Sequence, residues 1–480
     1  MSRSIRILPE VDAPIASIRA PKSDTGIVGF GVGAHTLSVR GPYQSLVEVG
    51  LEMNNAGVLL TQNGPSANYH WGRDLMANGA RRIYMVEPVV APAIAGVPYD
   101  NTMSGDGATR VFDMNGGGIL TGGGSADPLT LSPIPGTLHI EVTGAPVEYG
   151  TDWLCDWSRS IIYFAVAPVL GVDNITVDWR EYTVAGVTAA LALLESVPIT
   201  LCGGAFLASI NGAYNLVAEV RDHVDLAGGL FNYRHGFLQG YYQDVAGIAG
   251  LAYNNDHCSY LTNREGYYND NLATPANTWK EFRDPTAMLA GIAASREPWV
   301  SMHEKQVINS TQVTDFNSTD VATLAAAWVN YFATDARGTL RMKNGFNSET
   351  AAATYRYIDS SRLWIYIGNS IYFDLLDKNI IGNIQVERSQ ILAMEQMIIN
   401  TLIRISNEGG IEHPRWLPIT HKLNPVNSML IDAIKKSPED RSPAEEAYIQ
   451  AAQISRAETI RVYYDALGSI HWLDIYLGGR

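Results

Sequence analysis

The spacing of apolar residues changes several times along the chain, and each change marks an element. In YQSLVEVGLEMNNA (43–56) and SANYHWGRDLMANGA (66–80) hydrophobic residues recur at helical intervals, with Ser66 placed to cap the second helix. RRIYMVEPVV follows as a strand, so 42–90 reads as an α/β unit. Between about 98 and 184 the helical period disappears. A glycine-rich stretch, GDGATRVFDMNGGGILTGGGSADP, precedes TLHIEVTG, RSIIYFAVA and NITVDWREYTV, short strand-like runs separated by turn residues. From 185 the α/β texture resumes, with helix signals at 185–196, 211–227, 244–253, 284–295 and 319–333 and strand signals at 199–203 and 339–342. Two long amphipathic helices follow, 356–379 and 386–410. The second carries its stripe on Ile391, Met394, Ile398, Leu402 and Ile405 and stops at Gly409-Gly410. Ser442-Pro443-Ala444-Glu445 combines an N-cap, a proline in the first turn and a capping-box glutamate, which starts a helix over 442–455.

The two ends have a period of two. Residues 1–25 hold Pro9, Pro14 and Pro21 with alternating Ile5 and Ile7, then Ile15 and Ile18, the pattern of an extended arm. In AETIRVYYDALGSIHWLDIYLGGR two alternating runs meet at Leu467-Gly468-Ser469. Ile460, Val462 and Tyr464 share one face of the first run, and Leu473, Ile475 and Leu477 one face of the second. An apolar ribbon able to pair, placed where chains fray, needs a cover. The expected fold is therefore a discontinuous α/β core (26–97 and 185–455), interrupted by an inserted all-β domain (98–184) and flanked by an N-terminal strand arm (1–25) and a C-terminal strand ribbon (456–480).

Composition narrows the function. At 480 residues the chain can hold roughly two to four domains. Hydrophobic residues make up 46% and charged residues 17%, which excludes general disorder and suggests a surface covered by neighbours more than by water. A net charge of −15 without a Lys/Arg cluster argues against direct nucleic-acid binding and against an anionic membrane surface. Cys155, Cys202 and Cys258 are odd in number and contain no CxxC, the usage of a reducing compartment. The first 23 residues have no continuous apolar run and do not read as a signal peptide; AGVTAALALLESVPITLCGGAFLASI (185–210) is broken by Glu195-Ser196 and Pro198, so membrane insertion is not expected.

Candidate chemistry is sparse. Gly29, Gly31 and Ala34 satisfy GxGxxA, yet HTLSVRGPYQ intervenes where a pyrophosphate-binding helix would have to begin. NGGGILTGGGS has no Lys-Ser/Thr of a P-loop, His303-Glu304 lacks the second histidine of HExxH, and no GxSxG occurs. No catalytic residue, cofactor or metal site is expected. Two other readings stay open: a cytoplasmic α/β enzyme with a nucleotide site near 25–90, and another self-assembling virion or tail component.

Three stretches resemble the contractile tail sheath proteins of tailed phages, archaeal viruses and injection systems. YRYIDSSRLWIYIGNSI (355–371) is similar to that family's W-R-Y-[IV]-x-V-R-R-L-x-x-Y-I helix, with Tyr357, Ile358, Ser361, Arg362, Leu363, Tyr366 and Ile367 at matching places. The helix ending in NEGGIE resembles the penultimate family helix, and the segment from NREGYY to KQV, with Met288 to Ala293 as a helix, resembles its P-x-G-x-x-A-G-[IV]-x-A region. GTLRMKNGFN lacks the tryptophan of the family's W-G-x-R-T strand, which leaves Arg341 as its counterpart. The resemblance covers mainly 185–410 and implies a non-enzymatic structural subunit in a virion tail assembled in the host cytoplasm. It further implies stacked rings, six-fold in that family, around a tail tube protein, with baseplate and tail terminator proteins as partners, and contraction that drives the tube through the host envelope. The β domain at 98–184 would face outward. Ile5, Ile7, Ile15, Ile460, Val462, Tyr464, Leu473, Ile475 and Leu477 would then lie in strands exchanged between subunits.

Overall fold

A computed structural model describes residues 23–29, 31, 37–54, 62–90, 94–98, 107–108, 110–113, 134–157, 161–171, 174–207, 215–229, 232–240, 245, 254–262, 284–308, 316–349, 356–377, 387–412, 426–455 and 461–462. They fall into two compact units, one ending at Tyr366 and the other beginning at Ile367.

The first unit begins with Thr25–Val28 (β1), Val39–Tyr43 (β2), Leu46–Asn54 (α1), Ala67–Ala77 (α2) and Ile83–Val86 (β3). Local signals set both helices. The Glu48 carboxylate accepts from the Gln44 amide at 2.6 Å while Ser45 Oγ accepts from the Glu48 amide at 3.2 Å, and Ser66 Oγ caps α2 by accepting from the Tyr69 amide at 3.3 Å. Seven strands follow: Ile94–Pro98 (β4), Val111–Asp113 (β5), His139–Val142 (β6), Ala145–Pro146 (β7), Trp153–Asp156 (β8), Ile161–Phe164 (β9) and Ile175–Trp179 (β10). They form two antiparallel sheets, β4-β10-β6-β7 and β5-β9-β8. Then come Val184–Leu194 (α3), Leu201–Gly204 (β11), Val217–Gly229 (α4), His235–Gln239 (β12), Cys258–Leu261 (β13), Pro285–Ala294 (α5), Ser318–Ala326 (α6), the hairpin Tyr331–Thr334 (β14) and Leu340–Lys343 (β15), and Ile358–Asp377 (α7), inside which the unit ends.

The central sheet has the order β13-β12-β11-β1-β3-β2, parallel except for the edge strand β2. Helix α5 packs on β11, β12 and α2, and every one of its ten residues is buried. Its approach to α2 depends on Gly291, where an added Cβ would lie 2.6 Å from the Leu75 carbonyl oxygen. The antiparallel sheets share one apolar core with the parallel sheet: Phe112, Trp153, Trp157 and Ile162 belong to the same cluster as Ile27, Trp71 and Leu75. Cys155, Cys202 and Cys258 are free thiols with no exposed surface.

Several expectations are corrected. The helix expected over 319–333 stops at Ala326, because Trp328 adopts φ +60° after the Ala327 cap and the chain turns into β14. The helix at 211–227 starts only at Val217 among the described residues, and of the helix at 244–253 only Val245 is described. Strands β2, β4, β5, β7, β8, β12, β13 and β14 were not anticipated. β12 and β13 are buried at every position, so their sequences, HGFLQ and CSYL, lack the alternation that marks a half-exposed strand.

The second unit contains Arg388–Asn407 (α8), Val426–Asn427 (β16), Met429–Lys435 (α9), Pro443–Ser455 (α10) and Arg461–Val462 (β17). Its core is Ile391, Met394 and Ile398 from α8, Leu430, Ile431 and Ile434 from α9, and Ile449 and Ala452 from α10, closed by Val426.

Candidate assembly site

The crevice at the carboxyl ends of β1 and β11 is where an open α/β sheet would hold a ligand, since the chain leaves β1 for β3 on one side and returns to β11 on the other. Here it is filled by protein. Asn68 donates to the Gly29 carbonyl at 2.6 Å, and a Cβ at Gly29 would come within 2.6 Å of the Ala205 Cβ. The His70 ring lies 6.2 Å from Phe206 and 6.4 Å from Trp157, and Tyr182 donates to the Ala205 carbonyl at 2.7 Å. Helix α2 begins thirty-odd residues beyond the glycines, so its N-terminus is not the direct continuation that a pyrophosphate loop needs.

A second cluster has the residue types of catalysis without the arrangement. His235 Nε2 lies 2.7 Å from Ser259 Oγ, and Ser361 Oγ is 3.3 Å from His235 Nδ1 and 3.1 Å from His257 Nδ1. His235 is fully buried, and burial, reinforced by the charge of Arg362, holds its pKa well below the ordinary value, so it stays neutral. Asp256 Oδ1 lies 3.5 Å from His257 Nδ1, on the same nitrogen that faces Ser361, and the network ties α7 to β12 and β13. Arg362, one turn along from Ile358, donates to the Ala293 and Arg296 carbonyls at 2.7 and 2.9 Å, closing the end of α5. Among the described residues no group of three His, Cys, Asp or Glu side chains could hold a metal ion, and no helix is long and apolar enough to cross a membrane.

A short strand pair carrying one of the expected residues lies in the second unit. β17 pairs antiparallel with β16, Val426 opposite Val462 and Asn427 opposite Arg461, and Val462 packs against the α8–α9–α10 core. Ser428 caps α9 through the Ile431 amide at 3.2 Å, which fixes the turn directly after β16. Lys435 bonds Glu395 at 2.6 Å, joining α9 to α8. Glu445 closes the capping box of α10 by accepting from the Ser442 amide at 2.8 Å and also pairs with Lys436; these partners, Lys436 first, draw its pKa down to about 2. Asp374 accepts from Thr401 at 2.5 Å and from Arg404 at 3.1 Å. The result is a helical cluster packed against a two-stranded sheet that has no third strand among the described residues.

Of the residues expected to exchange between subunits, Val462 lies in this sheet. Ile5, Ile7, Ile15, Ile460, Tyr464, Leu473, Ile475 and Leu477 lie outside the described residues. The sequence reading missed β16 and α9. The available signal was Ser428 followed by Leu430, Ile431 and Ile434, a cap and an apolar stripe shorter than two turns.

No family model matches the chain, and no curated protein matches it. Solved structures do. A chain of the anti-feeding prophage baseplate, solved with six-fold symmetrisation, aligns over all of both chains at 10% identity and a TM-score of 0.56. The anti-feeding prophage helical sheath in its contracted state aligns over all of both chains at 10% identity and a TM-score of 0.54. The contracted sheath complex of PVC, an extracellular contractile injection system, aligns over 100% of this chain and 98% of that one at 8% identity and a TM-score of 0.55. At such identities the shared property is the fold, and the chain accordingly has the fold of the contractile sheath proteins of injection systems.

Proposed function

We propose that the protein is a sheath subunit: copies stack as rings around a tail tube and slide into a shorter, wider lattice that drives the tube through a host envelope. The observation that carries this reading is the end-to-end match to two sheaths in the contracted state, spanning both units and the intervening β strands. In such an assembly the stored energy lies in subunit contacts still unmade in the extended form, released as buried area on contraction. The filled crevice between β1 and β11 agrees with a device that works without a bound nucleotide.

In this reading the ends of the chain serve as strands donated to neighbours, with β16 and β17 as the receiving sheet. Main-chain hydrogen bonds supply attachment and alternate side chains supply register. The six-stranded sheet is a poorer host. At β13 the Asn330 amide donates to the Tyr260 carbonyl and the Thr262 amide to the Asn330 carbonyl, while β2 carries Pro42 and a register shift between Arg40 and Tyr43.

Negative-stain microscopy of the purified protein tests the function, with hollow tubes expected; a protein that stays monomeric at every concentration would refute it. Removing 459–480 tests donation, but it also removes β17. The paired substitutions Leu473→Asp and Ile475→Asp leave β17 in place. Tubes of normal length from that variant would show that the ribbon is not the link.

A further inference from the structure

Arg356 precedes α7 by two residues, is exposed, and makes neither a hydrogen bond nor an ion pair through its guanidinium among the described residues. It is nonetheless held in place. Its guanidinium carbon lies 4.0 Å from the ring centre of Trp328, 5.4 Å from that of Phe346 and 5.8 Å from that of Tyr357. The three rings adjoin as an inclined platform, with centroids 5.3 Å apart at 49° for Trp328 and Phe346 and 5.7 Å apart at 36° for Phe346 and Tyr357.

Two features set this platform apart from incidental packing. Trp328 occupies the position just past the C-cap of α6 at φ +60°, a site where glycine is the usual residue and a large aromatic is an outlier. The chain turns there with the indole underneath the arginine. In addition, a positive charge beside the N-terminus of a twenty-residue helix opposes the helix dipole, so local electrostatics do not favour an arginine at this point. A guanidinium lying over a ring face leaves its in-plane N–H fork available and has fewer rotamers to lose on binding, which suits it to grip a carboxylate with two hydrogen bonds.

We propose that Arg356, seated on Trp328, Phe346 and Tyr357, is an inter-subunit anchor that takes a surface carboxylate of a second copy of this chain. The choice of partner follows from charge: with 49 acidic against 34 basic residues, each copy offers an excess of carboxylates, and an arginine with no carboxylate partner among the described residues is complementary to that surface. The inference rests on the sheath reading, since it needs copies brought side by side.

The test compares full-length wild type with Arg356→Glu, Arg356→Ala and Arg356→Lys, following assembly by light scattering against protein concentration and the unassembled protein by thermal melting. Arg356→Glu should raise the concentration for half-assembly by about tenfold or more, as loss of one charged interface anchor does, with an unchanged melting temperature. Arg356→Lys, which keeps the charge but not the planar donor pair, should fall between wild type and Arg356→Ala. Assembly of Arg356→Glu at the wild-type concentration would overturn the proposal. So would an Arg356→Ala melting temperature lowered enough to account for its assembly defect, since the stack would then be internal cement. A wild type that never assembles would remove the sheath reading and this inference with it, whereas tubes from both wild type and Arg356→Glu would remove the inference alone.

Discussion

Asp284 is the cap of α5 and is completely buried, accepting from the Thr286 amide at 2.9 Å. Burial, the largest influence, pushes its pKa up from 3.8 to about 6 against the pull of its hydrogen bonds, with Asp74 adding to the rise. A carboxyl whose folded pKa lies above its unfolded one is bound more favourably in the protonated form. Its contribution is therefore largest below about pH 4 and is lost as pH rises through about 6. His223 acts in the opposite sense: burial and then Arg234 depress its pKa to about 3, so folding weakens as pH falls below the ordinary histidine value near 6.5. The net profile mixes both, so the informative quantity is a difference. Asp284→Asn keeps a competent cap without the charge; relative to wild type it should gain about 2–3 kcal/mol in urea unfolding at pH 7.5 compared with pH 4.5. Asn330 gives a second test at this scale. Its side chain donates to the Tyr260 and Phe346 carbonyls and accepts from the Gly345 and Phe346 amides, all between 2.7 and 3.0 Å, with no exposed surface. Asn330→Leu removes the side-chain partner of the Phe346 carbonyl and of the Gly345 and Phe346 amides, while the Tyr260 carbonyl keeps the residue 330 backbone amide, and it should cost about 3 kcal/mol or more by the same measurement.

Among elements, α5 and α2 show how closely two helices can be fixed by a missing side chain. Gly291→Ala would push a methyl group into the Leu75 carbonyl and the Asn78 Cβ, both within 2.7 Å of its position, and backbone cannot rotate away as a flexible side chain can. A loss of about 1–3 kcal/mol is expected, whereas an unchanged melting curve would mean that the helices separate without cost. Capped, amphipathic elements were legible in the sequence. Ser66 and the Ser442–Glu445 box mark starts that the structure keeps, and α7 and α8 begin two residues after their expected starts. The elements that were not legible share a physical reason. β12 and β13 are buried on both faces and carry no period; β16 pairs over two residues, too short for any pattern; and the turn at Trp328 uses a residue that announces neither a helix end nor a left-handed backbone. Of the candidate site, alternation pointed to Val462 but could not reveal its partner Val426, because pairing across 36 residues is a tertiary fact.

For the molecule as a whole, two separate cores predict separable responses. Ile431 has no exposed surface and belongs to the α8–α9–α10 cluster. Ile431→Ala should cost about 2–5 kcal/mol and, followed by hydrogen exchange, should loosen 388–455 while protection in β1 and β11 stays as it was. Equal loosening of β1 would mean that the chain unfolds as one cooperative body. The three cysteines add a practical consequence. All are sealed inside the first unit, and burial pushes the Cys202 thiol up to about 11 and Cys258 well above its usual value. The folded native chain should therefore ignore maleimide reagents at neutral pH. A cysteine placed at Leu170, which is 83% exposed at the tip of a loop between β9 and β10, would be the single addressable sulfur on each copy. In the sheath proposed above, fluorophores attached there would follow, in real time and without stripping the natural thiols, how far neighbouring copies travel as the tube shortens.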